Sequence, residues 1–187
     1  MKDYQIYNIS SNKINQERLI EYVNLSVDKF NHLYGGMEHA TKYYYLYNFF
    51  SIASCNIEVY ELYLSLVDCI RHYFNLYEIS KNNVWIQSWM NVHKQDDVLK
   101  SHSHAYPYHG YITLTNHNTH TVFTDDHDGN ELYRIINNPL QIYIGPGYRH
   151  HHVSVVEEYT DDRITIGFDV EINNAITDNF SFIPVIL

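Results

Sequence analysis

From residue 83 onward the chain is a succession of short alternating segments separated by turn signals, and this texture narrows the available folds more than any other feature. Val84, Ile86, Met90 and Val92 alternate with Trp85, Gln87, Trp89, Asn91 and His93. That period of two sends successive side chains to opposite faces of a strand. Further strand-like segments fall at about 108–115, 119–124, 131–136, 140–145, 152–157, 163–171 and 181–186. Between them lie Asp128-Gly129, Asn137-Asn138-Pro139 and Gly145-Pro146-Gly147. Strands of this number and spacing favour a jelly roll or barrel.

The first 82 residues have a different period. Residues 3–9 alternate weakly and predict a short strand. Leu19, Ile20, Val23, Val27 and Phe30 recur at three and four, predicting a helix over 16–31 that stops at Gly35-Gly36. Residues 41–50, rich in tyrosine, fit helix or strand. Residues 56–78 form the clearest helix. Its apolar face carries Val59, Leu62, Leu66, Ile70, Tyr73 and Tyr77, and its polar stripe Glu58, Glu61, Ser65, Asp68, His72 and Asn75. The class expected is therefore α+β. At 187 residues one domain is expected over 1–187, with 1–82 mostly helical and 83–187 the strand-built core. A chain of this size buries roughly two thirds of its unfolded surface.

Net charge is −10, from 12 Lys+Arg against 22 Asp+Glu, with no basic cluster. Such a surface repels phosphate backbones, so nucleic acid and anionic membranes are not expected partners. No apolar run is long enough to cross a bilayer, and residues 1–10 contain no apolar core of a signal peptide. Cys55 and Cys69 fall in apolar, helical-looking segments and are expected to be buried free thiols. Together these favour a reducing, cytoplasmic setting. The expected partner is a small-molecule or protein substrate. The abundance of tyrosine reads first as nucleotide bias, with a carbohydrate-binding surface as the functional alternative. Tyr-rich surfaces can also support a homodimer.

Ten of the thirteen histidines lie between His93 and His152. In a strand, His102 and His104 project to the same face. A third imidazole must come from a distant strand, and His150, His151 and His152 stand at the start of one. Imidazole suits iron, zinc, copper and nickel, so ligand type alone leaves the metal open. Arg163 follows, and a guanidinium offers a planar, bidentate match to a carboxylate while keeping its charge when buried. The plainer readings are a metal-free histidine pair, an Arg163 in a surface ion pair with Asp161 or Glu157, and Trp85 and Trp89 as core residues. His109, His117, His120 and His127 read as surface residues or outer neighbours of a site.

Trp89-Met90-Asn91-Val92-His93, His102-Ser103-His104 and His109-Gly110-Tyr111-Ile112-Thr113-Leu114 resemble the core of the 2-oxoglutarate- and Fe(II)-dependent oxygenases of phages and marine bacteria. Pro146 to Val153 resembles that family's second ligand strand, and Arg163 to Phe168 its Arg-Ile-Ser-Ile-Ser-Phe strand. The resemblance spans about residues 84–170. It implies a double-stranded β-helix with Fe(II) at the barrel mouth, held by His102, His104 and His151. It implies 2-oxoglutarate gripped by Arg163, with hydroxyls from Tyr111 and Thr165, and a host-cytoplasm location if the chain is phage-encoded. Tyr106, Tyr108 and Tyr148 would flank the mouth.

Two departures stand out. The facial triad is two histidines and a carboxylate, and His104 occupies the carboxylate position. Asp125, Asp126 or Asp128 offer a carboxylate only at a spacing wrong for the family. One extra residue separates His151 from Arg163, which the hairpin 157–162 can absorb. Two other classes stay open. A cupin-type metal enzyme without 2-oxoglutarate would use His150, because Gly145-Pro146-Gly147-Tyr148-Arg149-His150 resembles the second cupin motif. A non-catalytic jelly-roll binding or structural protein would need no metal at all.

Overall fold

The computed structural model describes residues 3–34, 41–42, 47–53, 55–97, 100–125, 128–172 and 181–187. The Gly35-Gly36 stop, residues 43–46 of the aromatic segment, Asp126, His127 and the Phe30 side chain lie outside the described part.

In chain order the elements are β1 (Gln5–Asn8), α1 (Gln16–Tyr34), β2 (Thr41–Lys42), α2 (Phe49–Ala53), α3 (Ile57–Leu76), β3 (Trp85–His93), β4 (Tyr108–Thr113), β5 (Thr119–Thr124), β6 (Glu131–Ile136), β7 (Gln141–Pro146), β8 (His150–Val155), β9 (Arg163–Glu171) and β10 (Phe182–Pro184). The expected helices and strands are present with small shifts at their ends. All strand pairs are antiparallel. The larger sheet runs β1-β7-β4-β9-β3-β10, with β2 also on β3, and the smaller runs β6-β5-β8. From β3 onward the chain passes back and forth between the sheets. The segment at His102 bridges to His151 on the smaller sheet between β3 and β4, which both belong to the larger one.

Strand β9 shows how one sequence serves two layers. Ile164, Ile166, Phe168 and Val170 point to one face and join Leu19, Val23, Leu62, Leu66, Ile70 and Phe74 of the helices in one apolar cluster. Arg163, Thr165, Gly167 and Asp169 point to the other face and line a cavity. The strand is therefore buried along its whole length. The same division holds on β3, where Ile86 and Met90 face the helices while Gln87, Trp89, Asn91 and His93 face the cavity.

The helical layer is anchored locally. Asn56 caps α3, its Oδ1 accepting from the backbone N–H of Glu58 at 3.0 Å and of Val59 at 3.2 Å, which satisfies donors that a helix start leaves open. Glu58 departs from the expected polar stripe. It is buried and meets Arg18 Nε at 3.3 Å, because α1 packs over that part of α3. The cysteines are free, but Cys55 is exposed in the turn before α3 and Cys69 half-buried, so neither is the fully buried thiol expected. No helix among the described residues is long and apolar enough to cross a membrane.

Candidate metal centre and carboxylate pocket

The site lies in a cavity of about 550 Å³ between the two sheets. Backbone bonds hold the His102–His104 segment there. The N–H of His102 donates to His151 O at 3.1 Å, the N–H of His151 to His102 O at 2.9 Å, and the N–H of His104 to Gly147 O at 2.8 Å. Gly147 is required by that close approach, since a Cβ there would stand 2.0 Å from Tyr106 O. The Gly145-Pro146-Gly147 turn thus clamps the first histidine segment against the strand carrying His151.

Ligand atoms of His102, His104 and His151 lie within 4.8 Å of one another. Ring centroids are 5.3 Å apart for His102 and His104, 4.6 Å for His102 and His151, and 5.3 Å for His104 and His151. Each Nδ1 faces an acceptor: Lys100 O at 2.9 Å for His102, Arg149 O at 3.2 Å for His151, and Asp169 Oδ1 at 2.8 Å for His104. Carbonyls and carboxylates only accept, so each Nδ1 carries a proton, and Nε2 is the nitrogen left to bind a metal. Nε2 of His104 is buried without a hydrogen-bond partner. Orienting a metal-binding imidazole through its far nitrogen is the common arrangement in metalloproteins. Burial, reinforced by the neighbouring imidazoles, lowers the pKa of His151 well below the ordinary histidine value and lowers that of His102 as well. Both are thus kept neutral, as metal binding requires. Three imidazole nitrogens fit iron, nickel, copper or zinc.

His150 and His152 belong to neither group of potential ligands, although each is only half-buried beside His151. Residues i and i+2 of β8 share a face, so these two point away from the face His151 occupies. His109, expected at the surface or as an outer neighbour of a site, takes the second of these places, beside Asp169, which the sequence did not single out. His109 is buried, its ring stacked 3.6 Å from that of His104, and its Nδ1 lies 3.2 Å from Asp169 Oδ1. Burial and the adjacent His104 push its pKa down to about 4. Burial opposes ionisation of Asp169, but the hydrogen bonds from His104 and His109 outweigh it and leave this carboxyl below its ordinary value. His104, His109 and Asp169 form a second group that could hold an ion. Asp169 was legible in principle, because it shares strand parity with Arg163. His117 is also buried, stacked on Tyr159 at 4.4 Å, but away from the cavity.

Arg163 is buried and lines the cavity, so the surface ion pair with Asp161 or Glu157 does not form. Its Nη2 donates to His93 Nδ1 at 3.1 Å, and its Nε is buried without a partner. Burial lowers the guanidinium pKa, yet the group stays cationic in any ordinary solvent. Thr165 and Tyr111 line the same cavity, with Thr165 Oγ1 accepting from Asn91 Nδ2 at 3.3 Å and the Tyr111 hydroxyl buried without a partner. The aromatic residues expected at the mouth divide. Tyr106 lines the cavity, Tyr108 instead packs on Phe74 at 5.4 Å in the helical layer, and Tyr148 is exposed beside Arg149. Trp89 is buried in the sheet, as expected of a core residue, and its ring lies 5.8 Å from that of His104 at the cavity wall. Asp125 and Asp128 lie at the β5–β6 turn and join neither group of potential ligands.

Solved structures share this architecture. A non-heme monooxygenase, ThoJ, superposes with a TM-score of 0.62 at 8% identity over 98% of this chain and 76% of its own. A prolyl-4-hydroxylase of Pseudomonas putida gives 0.60 at 9% identity over 92% and 94%. HygX of Streptomyces hygroscopicus, solved with nickel and 2-oxoglutarate bound, gives 0.57 at 9% identity over 91% and 83%. The chain has the fold of non-heme oxygenases. At such identities the likeness is one of fold. No protein-family model matches the sequence, and no curated protein matches it.

Proposed function

We propose that this chain is a non-heme Fe(II)- and 2-oxoglutarate-dependent oxygenase built on a double-stranded β-helix. The observation that carries the reading is the pairing, in one cavity, of three converging imidazoles with a buried arginine. The shared fold supports it, as does the nickel and 2-oxoglutarate held by HygX. The alternation of the chain between two antiparallel sheets supports the double-stranded β-helix.

In this reading His102, His104 and His151 hold the metal through Nε2. When bound, iron and 2-oxoglutarate supply the oxidative decarboxylation that couples dioxygen to oxidation of a substrate C–H bond. Arg163 binds the distal carboxylate of 2-oxoglutarate through two parallel N–H bonds, and His93, accepting from Nη2, holds the guanidinium plane in place. Tyr111 and Thr165 donate their hydroxyls to the same carboxylate. Trp89 walls the cavity beside His104.

A set of three imidazoles without a carboxylate also suits a metal enzyme that does not take 2-oxoglutarate. Isothermal titration of the Fe(II)-loaded or Ni(II)-loaded protein with 2-oxoglutarate separates the two. Binding that is lost in Arg163→Ala supports the oxygenase, whereas a metal-loaded protein indifferent to 2-oxoglutarate rejects it.

A further inference from the structure

The cavity holds a buried negative charge that its metal-binding role does not yet use. Asp169 is 5% exposed, and among the described residues its ion-pairing partners are two histidines and no lysine or arginine. Arg163 stands six residues away on the same face of β9, about 20 Å along the strand. A carboxylate taken out of water is costly unless a compensating charge lies near it. Here that charge is absent from the side chains but would be supplied by a cation on the far side of His104.

We propose that Asp169 is a positioning residue that restores to the metal centre, through His104, the negative charge missing from its three-histidine ligand set. The inference rests on the metal-site reading above. Asp169 Oδ1 accepts from His104 Nδ1 at 2.8 Å, which directs the lone pair of the buried, unpartnered Nε2 away from the carboxylate. A carboxylate on the far nitrogen makes an imidazole a more basic ligand. His109 holds the same oxygen from a second side at 3.2 Å. Its ring lies nearly parallel to that of His104, at 14° and 3.6 Å. That face-to-face contact, together with the Asp169 oxygen both rings share, makes His109 a strap on Asp169 and a platform for His104. The register makes this possible: His109 stands opposite Asp169 across the β4–β9 pairing.

The test uses the full chain and Co(II) alone, without 2-oxoglutarate. Affinity is read by calorimetry, and the ligand set by the hyperfine-shifted, solvent-exchangeable ring N–H protons in NMR. Wild type is expected to bind one ion and show three such protons, one for each Nδ1–H. Asp169→Asn keeps an acceptor but loses the charge. It should bind Co(II) about 10- to 100-fold more weakly, the range typical for losing such an outer partner, while keeping three signals. His109→Phe, which keeps the stack and removes the strap, should weaken binding by a smaller factor and serves if Asp169→Asn does not fold. An Asp169→Asn affinity within twofold of wild type would overturn the proposal alone. A change in the number of imidazole signals would overturn it in favour of direct ligation by Asp169. Wild type that binds no metal would overturn both this inference and the oxygenase reading.

Discussion

Arg163 and His93 stand opposite each other across the β3–β9 pairing, and the guanidinium donates from Nη2 to His93 Nδ1 at 3.1 Å. A bond of that kind fixes the plane of the guanidinium rather than its charge. Arg163→Lys keeps the charge and loses the planar fork. The expected result is a loss of about 10- to 100-fold in 2-oxoglutarate affinity, the equivalent of roughly 1.5–3 kcal/mol for a charged hydrogen bond. Affinity for Co(II) should be unchanged, because the arginine lies at the other end of β9 from Asp169. Calorimetry with each ligand separately checks both halves.

Strand parity places His151 with His102 and His104 and turns its two neighbours away. His151→Ala should abolish stoichiometric binding of Co(II) or Fe(II), and His150→Ala should leave it within about threefold of wild type. Metal content after desalting, measured by elemental analysis, distinguishes them. Loss of metal in His150→Ala alone would instead support the cupin alignment.

Gly167 lies under the Trp89 ring, where an added Cβ would stand 2.6 Å from Cε2. The ring has little room to retreat, since Trp89 is buried and its Nε1 donates to Asn91 Oδ1 at 3.1 Å. Gly167→Ala should cost about 1–3 kcal/mol of stability, the usual range for overpacking, and displace the indole from its place over His104. Urea unfolding and the position of tryptophan fluorescence read the two effects.

Burial holds the folded-state pKa of His109 at about 4, below the ordinary histidine value of 6.5. The unfolded chain therefore binds the proton more readily, and stability falls as pH drops from about 6.5 to about 4. A shift of this size corresponds to roughly 3 kcal/mol from His109 alone. His102 and His151 are shifted in the same direction, so the metal-free protein should show a steep loss of urea midpoint across that window. Asp169, also depressed, adds a further loss below the ordinary aspartate value of 3.8. A midpoint flat between pH 7 and 4 would contradict the burial of neutral imidazoles.

Much of this organisation was legible in the sequence because it is local. Periods of two and of three to four located the strands and the long helices, and spacing placed His102 and His104 on one face. The remainder depends on register between distant strands. His109 and Asp169 lie sixty residues apart, and only the β4–β9 pairing brings them together. The burial of Glu58 likewise depends on α1 crossing α3, which brings in Arg18. Tyr108 went to the helical layer because its strand parity matches Gly110 and Ile112 rather than His109 and Tyr111.

The most direct measurement is an anaerobic Fe(II) titration with and without 2-oxoglutarate, watched for the visible metal-to-ligand charge-transfer band. The account predicts a band that needs both components and disappears in His151→Ala, with Arg163→Ala shifting its 2-oxoglutarate dependence to much higher concentration. Iron that binds tightly while 2-oxoglutarate produces no band would contradict the account.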